Sequence, residues 1–251
     1  MIGHVFFSAK QQPNKNRIWE LDALRGVCIL GMVVVHLIYD LVELYGVVQW
    51  DYPPGFLLLQ HWGGTVFFVI SGICATRSKR SLHRGLLVLS CGMLCTAVTA
   101  GMYLSGFADR SILIYFGVLH SLGCCMLLWP AVQKLPAVLL GCISLAVIAA
   151  GLYLRTIAPA SSFLLIPLGI LTPDFVSSDY FPLLPYWGFF LLGSILGRTL
   201  YANGVSRFPH VQATRQPFAA ACFLGRHSLI IYLLHQPVLC GMVWVFSSIF
   251  R

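Results

Sequence analysis

One apolar stretch carries side chains that could do acid–base chemistry within a membrane. It reads WELDALRGVCILGMVVVHLIYD and places His36 and Asp40 in its apolar part. An ionisable side chain in a membrane segment is costly and indicates a functional site. Residues four apart share one face of a helix, so His36 and Asp40 are expected to form a pair. Arg25 lies eleven residues before His36 on the same face, about 16 Å away along the axis.

Three further histidines, His61, His120 and His235, fall in separate apolar segments. At 1.5 Å per residue, each lies about 12–16 Å from the start of its predicted helix, the same depth as His36. The four side chains together predict a polar chamber near the middle of the membrane. Two alternatives remain: each histidine could be satisfied by a neighbouring helix, or the imidazoles could hold zinc. The spacing does not require a metal, and none is predicted.

The composition places these histidines in a membrane protein. Hydrophobic residues make up 58% of the chain and charged residues 10%, whereas soluble domains carry about 25% charged residues. The net charge of +8 could suggest nucleic acid, but the sequence offers no soluble basic domain to bind it. All nine cysteines lie in apolar segments, which gives no indication of a disulfide framework.

The apolar segments predict an all-α fold, a polytopic membrane helix bundle of about seven transmembrane helices, since about 20 apolar residues span a bilayer. A short cytosolic tail at 1–18 precedes a single domain at 19–251. The predicted helices lie at 24–45, 55–76, 84–104, 111–129, 136–154, 183–201 and 226–248. The stretch FLLIPLGIL within 156–182 is too short to span and is interpreted as interfacial or re-entrant. A short surface helix is expected at 218–224.

The basic residues predict the orientation. With the N-terminus in the cytosol, thirteen of the sixteen Lys and Arg residues lie on the inner side, which is the bias of membrane proteins. Only Arg110, Arg155 and Arg251 fall outside. The chain is therefore expected to be an integral multi-pass membrane protein with its N-terminus in the cytosol.

Arginines at the inner side could bind a phosphorylated ligand. The loop ATRSKRSLHR carries Arg77 and Arg80, and Arg25 and Arg226 lie at the same membrane face. Guanidinium groups match phosphate oxygens in a two-pronged geometry, which suits a donor such as coenzyme A. The alternative is that the loop is only the positive-inside signal. Asp22 is expected either to cap the first helix or to pair with Arg25.

The motifs occur in the order of a known family. They are LDALRGVCILGMVVVHLIYD, FFVISG, ILIYFGVLHSLGCCMLL, YFPLLPYWGFFLLGSILGR and LGRHSLIIYLLHQPVL, which cover about 20–240. The chain resembles the bacterial members of the heparan-α-glucosaminide N-acetyltransferase catalytic-domain family, which implies a location in a bacterial cytoplasmic membrane. It is more distantly similar to the wider transmembrane acyltransferases, whose first helix carries an Arg, ten residues and a His, as Arg25 and His36 do here. Their Arg-x-x-Arg motif is matched by Arg77 and Arg80.

The resemblance implies transfer of an acyl group across the membrane. Acetyl-CoA or another acyl-CoA would bind from the cytosol, and a sugar or amino-sugar acceptor would bind at the outer side. We hypothesise that His36 is the general base and that Asp40 orients its ring. Arg25, Arg77, Arg80 and Arg226 would then hold the donor phosphates.

Under this hypothesis His61, His120 and His235 would line the chamber. Direct transfer and an acyl-histidine intermediate both remain open. Two alternatives belong to other classes: a proton-coupled transporter or flippase that uses the histidines as a relay, and an assembly partner without chemistry. The chain is also compatible with a homo-oligomer in the lipid bilayer.

Overall fold

The protein is represented by a computed structural model that describes residues 18–157, 159, 162–211 and 217–249. The expected tail at 1–18 and Arg251 lie outside the described residues, apart from Ile18. Helices dominate the described chain, and its single isolated β-bridge joins Phe116 to Tyr180. The predicted all-helical class is confirmed.

Eight α-helices occupy the described residues. They are α1 (Trp19–Tyr39), α2 (Pro54–Ala75), α3 (Ser81–Leu104), α4 (Val118–Val132), α5 (Ala137–Leu154), α6 (Leu183–Leu200), α7 (Phe218–Arg226) and α8 (Ser228–Ile249). A π-helical turn, Asp40–Leu44, continues α1. The segment expected to be interfacial or re-entrant forms a 3-10 helix, Phe163–Leu168.

Six helical stretches are long and apolar enough to cross a membrane. They are α1 with its π turn, α2, α3, α5, α6 and α8, and α4 is a shorter apolar helix. The helices pack chiefly as α1 with α7, α2 with α6, α5 with α6 and α3 with α4. The polytopic helical bundle predicted from hydropathy is therefore confirmed.

Because successive helices alternate in direction, the bundle has two chemically different ends. The end where α2 finishes and α3 begins carries Arg77, Arg80 and Arg84, and we call it the basic end. The opposite end carries the acidic loop residues, and we call it the acidic end. They are Asp51, Asp109, Asp174 and Asp179.

The last helical pass consists of the short helix expected at 218–224 and the long helix that follows it. Only His227 separates α7 from α8, and both run beside α1 in the same direction. The Trp19 and Phe218 rings are 5.2 Å apart at the start of the pair, and further along the Tyr45 hydroxyl donates to the Cys240 carbonyl at 3.3 Å. The predicted short helix is therefore present as α7, which packs Cys222 and Gly225 against α1 while Phe218 and Phe223 are exposed.

The start of α4 differs from the prediction of a helix over 111–129. After a 3-10 turn, Arg110–Ile112, residues 113–117 lie outside any helix and form hydrogen bonds with 177–181, and we call these two segments the recessed loops. The Phe181 amide donates to the Phe116 carbonyl at 2.9 Å, and the Ser178 amide donates to the Leu113 carbonyl at 3.1 Å. Helix α4 begins only at Val118, because the backbone of Gly117 is extended.

The recessed loops lie within the bundle rather than above it. The Thr96 hydroxyl donates to the Ile114 carbonyl at 2.7 Å, and Thr96 precedes the end of α3 by eight residues, about 12 Å. Non-helical backbone at such a depth is tolerated only where protein buries it or where it lines a cavity. The loops therefore mark the region of the bundle in which a site is expected.

Glycines allow the helices of two pairs to approach closely. A Cβ at Gly26 would overlap the Ala221 carbonyl oxygen, and a Cβ at Gly225 would overlap the carbonyl oxygen of Asp22. The same reciprocal arrangement joins α2 to α6, where Cβ atoms at Gly72 and Gly193 would overlap the carbonyls of Phe190 and Val69. Gly72 and Gly193 are therefore packing positions between α2 and α6. Such small-residue contacts are a principal source of helix association in membranes.

Replacement of Gly26 tests this contact. Gly26→Ala should destabilise the protein by about 1–3 kcal/mol, because the added methyl group forces α1 away from α7. Gly31→Ala is the matched control on the same helix, since a Cβ there meets no atom within 4 Å. Thermal unfolding in one detergent should show a lower midpoint for Gly26→Ala alone. Equal midpoints for the two variants would contradict the packing account.

Candidate active site

Two of the four predicted chamber histidines meet in the structure. The rings of His36 on α1 and His235 on α8 have their centroids 4.9 Å apart, with an angle of 79° between their planes. The contact follows from the parallel course of α1 and the α7–α8 pass. We call these two residues the histidine pair.

His36 lies nearer the acidic end of α1 than the start of that helix. The structure begins α1 at Trp19 rather than at 24. His36 therefore lies seventeen residues, about 26 Å, from the start of its helix and eight residues before Leu44. The predicted start of the first helix at 24 is five residues late, because the polar residues at 19–22 are already helical.

A glutamine connects Asp40 to the histidine pair. Asp40 is fully buried, and its Oδ1 accepts a hydrogen bond from the Gln236 side-chain amide at 2.8 Å. The Gln236 side chain also interacts with His36. The structure thus links Asp40 to His36 through Gln236, a residue that the sequence analysis did not select. The sequence feature that could have identified Gln236 is its position directly after His235.

Two residues near His235 were also missed. The Tyr232 hydroxyl donates to Asp179 Oδ2 at 2.7 Å, and the Val118 amide at the start of α4 donates to the same oxygen at 3.0 Å. Burial raises the pKa of the Asp179 carboxyl, and these two hydrogen bonds act in the opposite direction. The recessed loops bring Asp179 to this depth.

His120 lies apart from the histidine pair and has both ring nitrogens engaged. The Gly117 amide donates to its Nδ1 at 3.2 Å, so its Nε2 carries the hydrogen and faces the Thr96 hydroxyl at 3.2 Å. This hydroxyl in turn donates to the carbonyl of Ile114. The arrangement fixes the start of α4 against α3.

His61 is also separate from the pair. It is exposed on α2, and its Nε2 lies 3.4 Å from Nη1 of Arg155 at the acidic end. The structure therefore divides the four predicted chamber residues into one pair and two single histidines.

The predicted donor arginines lie in two groups. Arg25 Nη1 is 3.8 Å from Asp22 Oδ1 and interacts with the Cys74 thiol, which Arg84 also approaches. The predicted pairing of Asp22 with Arg25 is confirmed. The N-cap position belongs to Ile18, so the expectation that Asp22 caps the helix was wrong.

The second group borders the loop that follows α6. Arg77 donates to the Tyr201 carbonyl at 3.3 Å and lies against Gly204, while Arg80 is exposed. Arg226 is exposed at the end of α7, directly after the contact glycine Gly225. Arg25 and Arg226 thus flank the same α1–α7 contact.

Within the described residues, no group of three or more His, Cys, Asp or Glu side chains is placed to hold a metal ion. The zinc alternative needed several imidazoles together, and the structure brings two into contact. The chemistry available at the histidine pair is therefore that of imidazole, carboxyl and amide groups.

Comparison with known proteins identifies the family. The sequence profile of the family described as "Heparan-alpha-glucosaminide N-acetyltransferase, catalytic" matches residues 17–237. No curated protein and no solved structure matches the chain. The matched range includes both histidines of the pair, Asp40, Asp179 and all four predicted donor arginines. The chain therefore belongs to the heparan-α-glucosaminide N-acetyltransferase catalytic-domain family and is a multi-pass membrane protein of this acetyltransferase family.

Proposed function

We propose that the protein transfers an acetyl or other acyl group from acyl-CoA to an acceptor at the histidine pair. One observation carries the proposal: His36 and His235 meet within a bundle of apolar helices, with a buried carboxyl connected to them through Gln236. Polar groups at membrane depth are costly and are retained for function. Family membership supports acetyl transfer as the reaction.

The donor would bind at the basic end, which the positive-inside bias assigns to the cytosol. Arg77, Arg80, Arg25 and Arg226 would hold the phosphates of coenzyme A by charge-assisted hydrogen bonds. The pantetheine arm would then extend along α1 toward His36. The axial distance of about 16 Å from Arg25 to His36 defines the length that it must cover.

The acceptor would approach from the acidic end, to which the histidine pair is closer. The family description names a glucosaminide, which supports a sugar or amino sugar as acceptor. Its hydroxyl or amine must lose a proton as it attacks the thioester carbonyl, and a neutral imidazole is suited to accept that proton. The pair supplies this base, as we hypothesised for His36, and Asp40 supports His36 through Gln236.

Removal of the two loop arginines tests the donor site. Arg77→Ala and Arg80→Ala should each raise the Kd for acetyl-CoA by about ten- to a hundredfold, since a hydrogen bond to a charged group contributes about 1.5–3 kcal/mol. Lys79→Ala removes one charge from the same exposed loop and is the matched control. Binding would be measured with radiolabelled acetyl-CoA in lipid discs.

A general electrostatic effect would instead weaken binding equally in all three variants, and that result would contradict a phosphate site at Arg77 and Arg80. A proton-coupled transporter has no reason to bind acetyl-CoA. Absence of binding by wild type at millimolar donor would therefore favour that alternative.

Truncation of His36 tests the reaction centre. His36→Ala should bind acetyl-CoA like wild type but hydrolyse its thioester about 10²–10⁴ times more slowly, which is the usual contribution of acid–base catalysis. Val34→Ala, an exposed truncation on the same helix, should keep the wild-type rate. Wild-type hydrolysis by His36→Ala would exclude His36 from the centre.

A further inference from the structure

We propose that His235 is the general base of the transfer and that Asp179 and Tyr232 are its positioning residues. The proposal rests on the proposed acyltransferase function and refines it, because the sequence alone gave His235 only a place in the chamber wall. It depends on three features of the structure: the hydrogen bond at one nitrogen of His235, the unpaired state of the other nitrogen, and the fixation of Tyr232.

The hydrogen bonding of His235 determines which of its nitrogens can react. Nδ1 lies 2.5 Å from the Tyr232 carbonyl oxygen, which can only accept, so Nδ1 carries the hydrogen. In the neutral ring, Nε2 then holds a lone pair. Nε2 is buried and has no hydrogen-bond partner among the described residues. A buried, fixed and unpaired imidazole nitrogen is the group that a general base requires.

His120 provides an internal comparison. Its Nδ1 accepts from the Gly117 amide and its Nε2 faces the Thr96 hydroxyl, so both nitrogens serve the packing of α4. His235 has a backbone hydrogen bond on one nitrogen only, and there Nδ1 donates instead of accepting. Since buried polar atoms are normally paired, the unpaired nitrogen requires an explanation. A hydrogen bond from the acceptor substrate to Nε2 of His235 would explain why this unpaired nitrogen lies beside His36.

Tyr232 is fixed from both sides. Its hydroxyl donates to Asp179 at 2.7 Å, its carbonyl accepts from His235, and the centroids of the Tyr232 and His235 rings are 5.5 Å apart. Asp179 is itself fixed by the Val118 amide. These bonds connect the recessed loops, the start of α4 and α8. Loss of the carboxyl would free the Tyr232 ring, which packs against the His235 ring, whereas the hydrogen bond to the Tyr232 carbonyl belongs to the α8 backbone and would remain.

The surroundings of His235 contain several other titratable groups. His36 and Asp40 face it from α1 and the π turn, Tyr232 and Cys240 lie on its own helix, and Asp179 lies beyond Tyr232. The His36 ring packs edge-to-face against His235, so a proton on one imidazole disfavours a proton on the other. His36 therefore remains part of the centre without being the first proton acceptor.

The reaction balances with this assignment. The acceptor oxygen or nitrogen attacks the thioester carbonyl carbon and forms the new C–O or C–N bond, while its proton passes to His235 Nε2. The C–S bond breaks with its electron pair on the sulfur of coenzyme A. The proton then passes from His235 to this thiolate, which leaves as the free thiol. In the absence of the natural acceptor, water takes the same role and the product is acetate.

Chemical rescue tests the base directly. In lipid discs, His235→Ala should bind acetyl-CoA with the wild-type Kd and hydrolyse it at least a hundredfold more slowly. Added imidazole should restore the rate in proportion to its concentration. His36→Ala, which keeps His235, should show no comparable rescue. Rescue of His36→Ala alone, or loss in His235→Ala that imidazole does not restore at unchanged donor affinity, would overturn the assignment.

The positioning role is tested at Asp179. Asp179→Ala and Tyr232→Phe should lower kcat about ten- to a hundredfold per folded molecule, with the Kd for acetyl-CoA unchanged. Asp179→Asn keeps an oxygen that accepts both hydrogen bonds and should recover most of the rate. If the bonds serve only folding, Asp179→Ala and Tyr232→Phe will lower the melting temperature but retain wild-type kcat, and that result would overturn the positioning role.

These experiments separate the inference from the function on which it rests. If wild type neither binds nor hydrolyses acetyl-CoA, the acyltransferase proposal fails and the assignment of the base fails with it. If wild type turns over and His235→Ala turns over equally fast, the function stands and the assignment of the base is wrong.

Discussion

The close approach of α1 and α7 is the constraint on which the site depends. Gly26 and Gly225 allow backbone-to-backbone contact, and lipid supplies no hydrophobic force that would hold the helices together without such packing. The contact sets α7 and α8 parallel to α1. Because His227 alone separates α7 from α8, this direction continues into α8 and brings His235 to the level of His36. A wider separation of α1 and α7 would separate the histidine pair.

The recessed loops add an irregular backbone and a buried carboxyl group to the site, which regular helices do not provide. Regular helices satisfy their own backbone groups and present only side chains to the interior. The extended residues around Gly117 and Asp179 shorten α4 and place a carboxyl at the level of Tyr232. The site thus combines α1, the π turn, α8 and a loop. The same irregular backbone is secured by His120, which explains why a histidine lies there without joining the pair.

Hydropathy predicted the helical bundle because a span needs only length and apolar composition, and it selected His36, Asp40 and His235 as polar residues in apolar segments. It could not separate His235 from His120, since both lie at similar depths and only tertiary hydrogen bonds distinguish them. Asp179 was missed because a carboxylate in a loop is normally solvated. Gln236 was missed because an amide carries no charge. The short α4 escaped detection because the residues before Val118 are as apolar as a helix.

Sidedness and chemistry can be tested together in sealed proteoliposomes of defined protein orientation. Acetyl-CoA would be supplied either to the face that carries Arg77 and Arg80 or to the opposite face, and released coenzyme A would be measured. Coenzyme A should be released only when acetyl-CoA is supplied to the face that carries Arg77 and Arg80. A protein carrying both His36→Asn and His235→Asn should lose that release. Release from the opposite face, or undiminished release by the double variant, would contradict transfer at the histidine pair from a donor bound at the basic end.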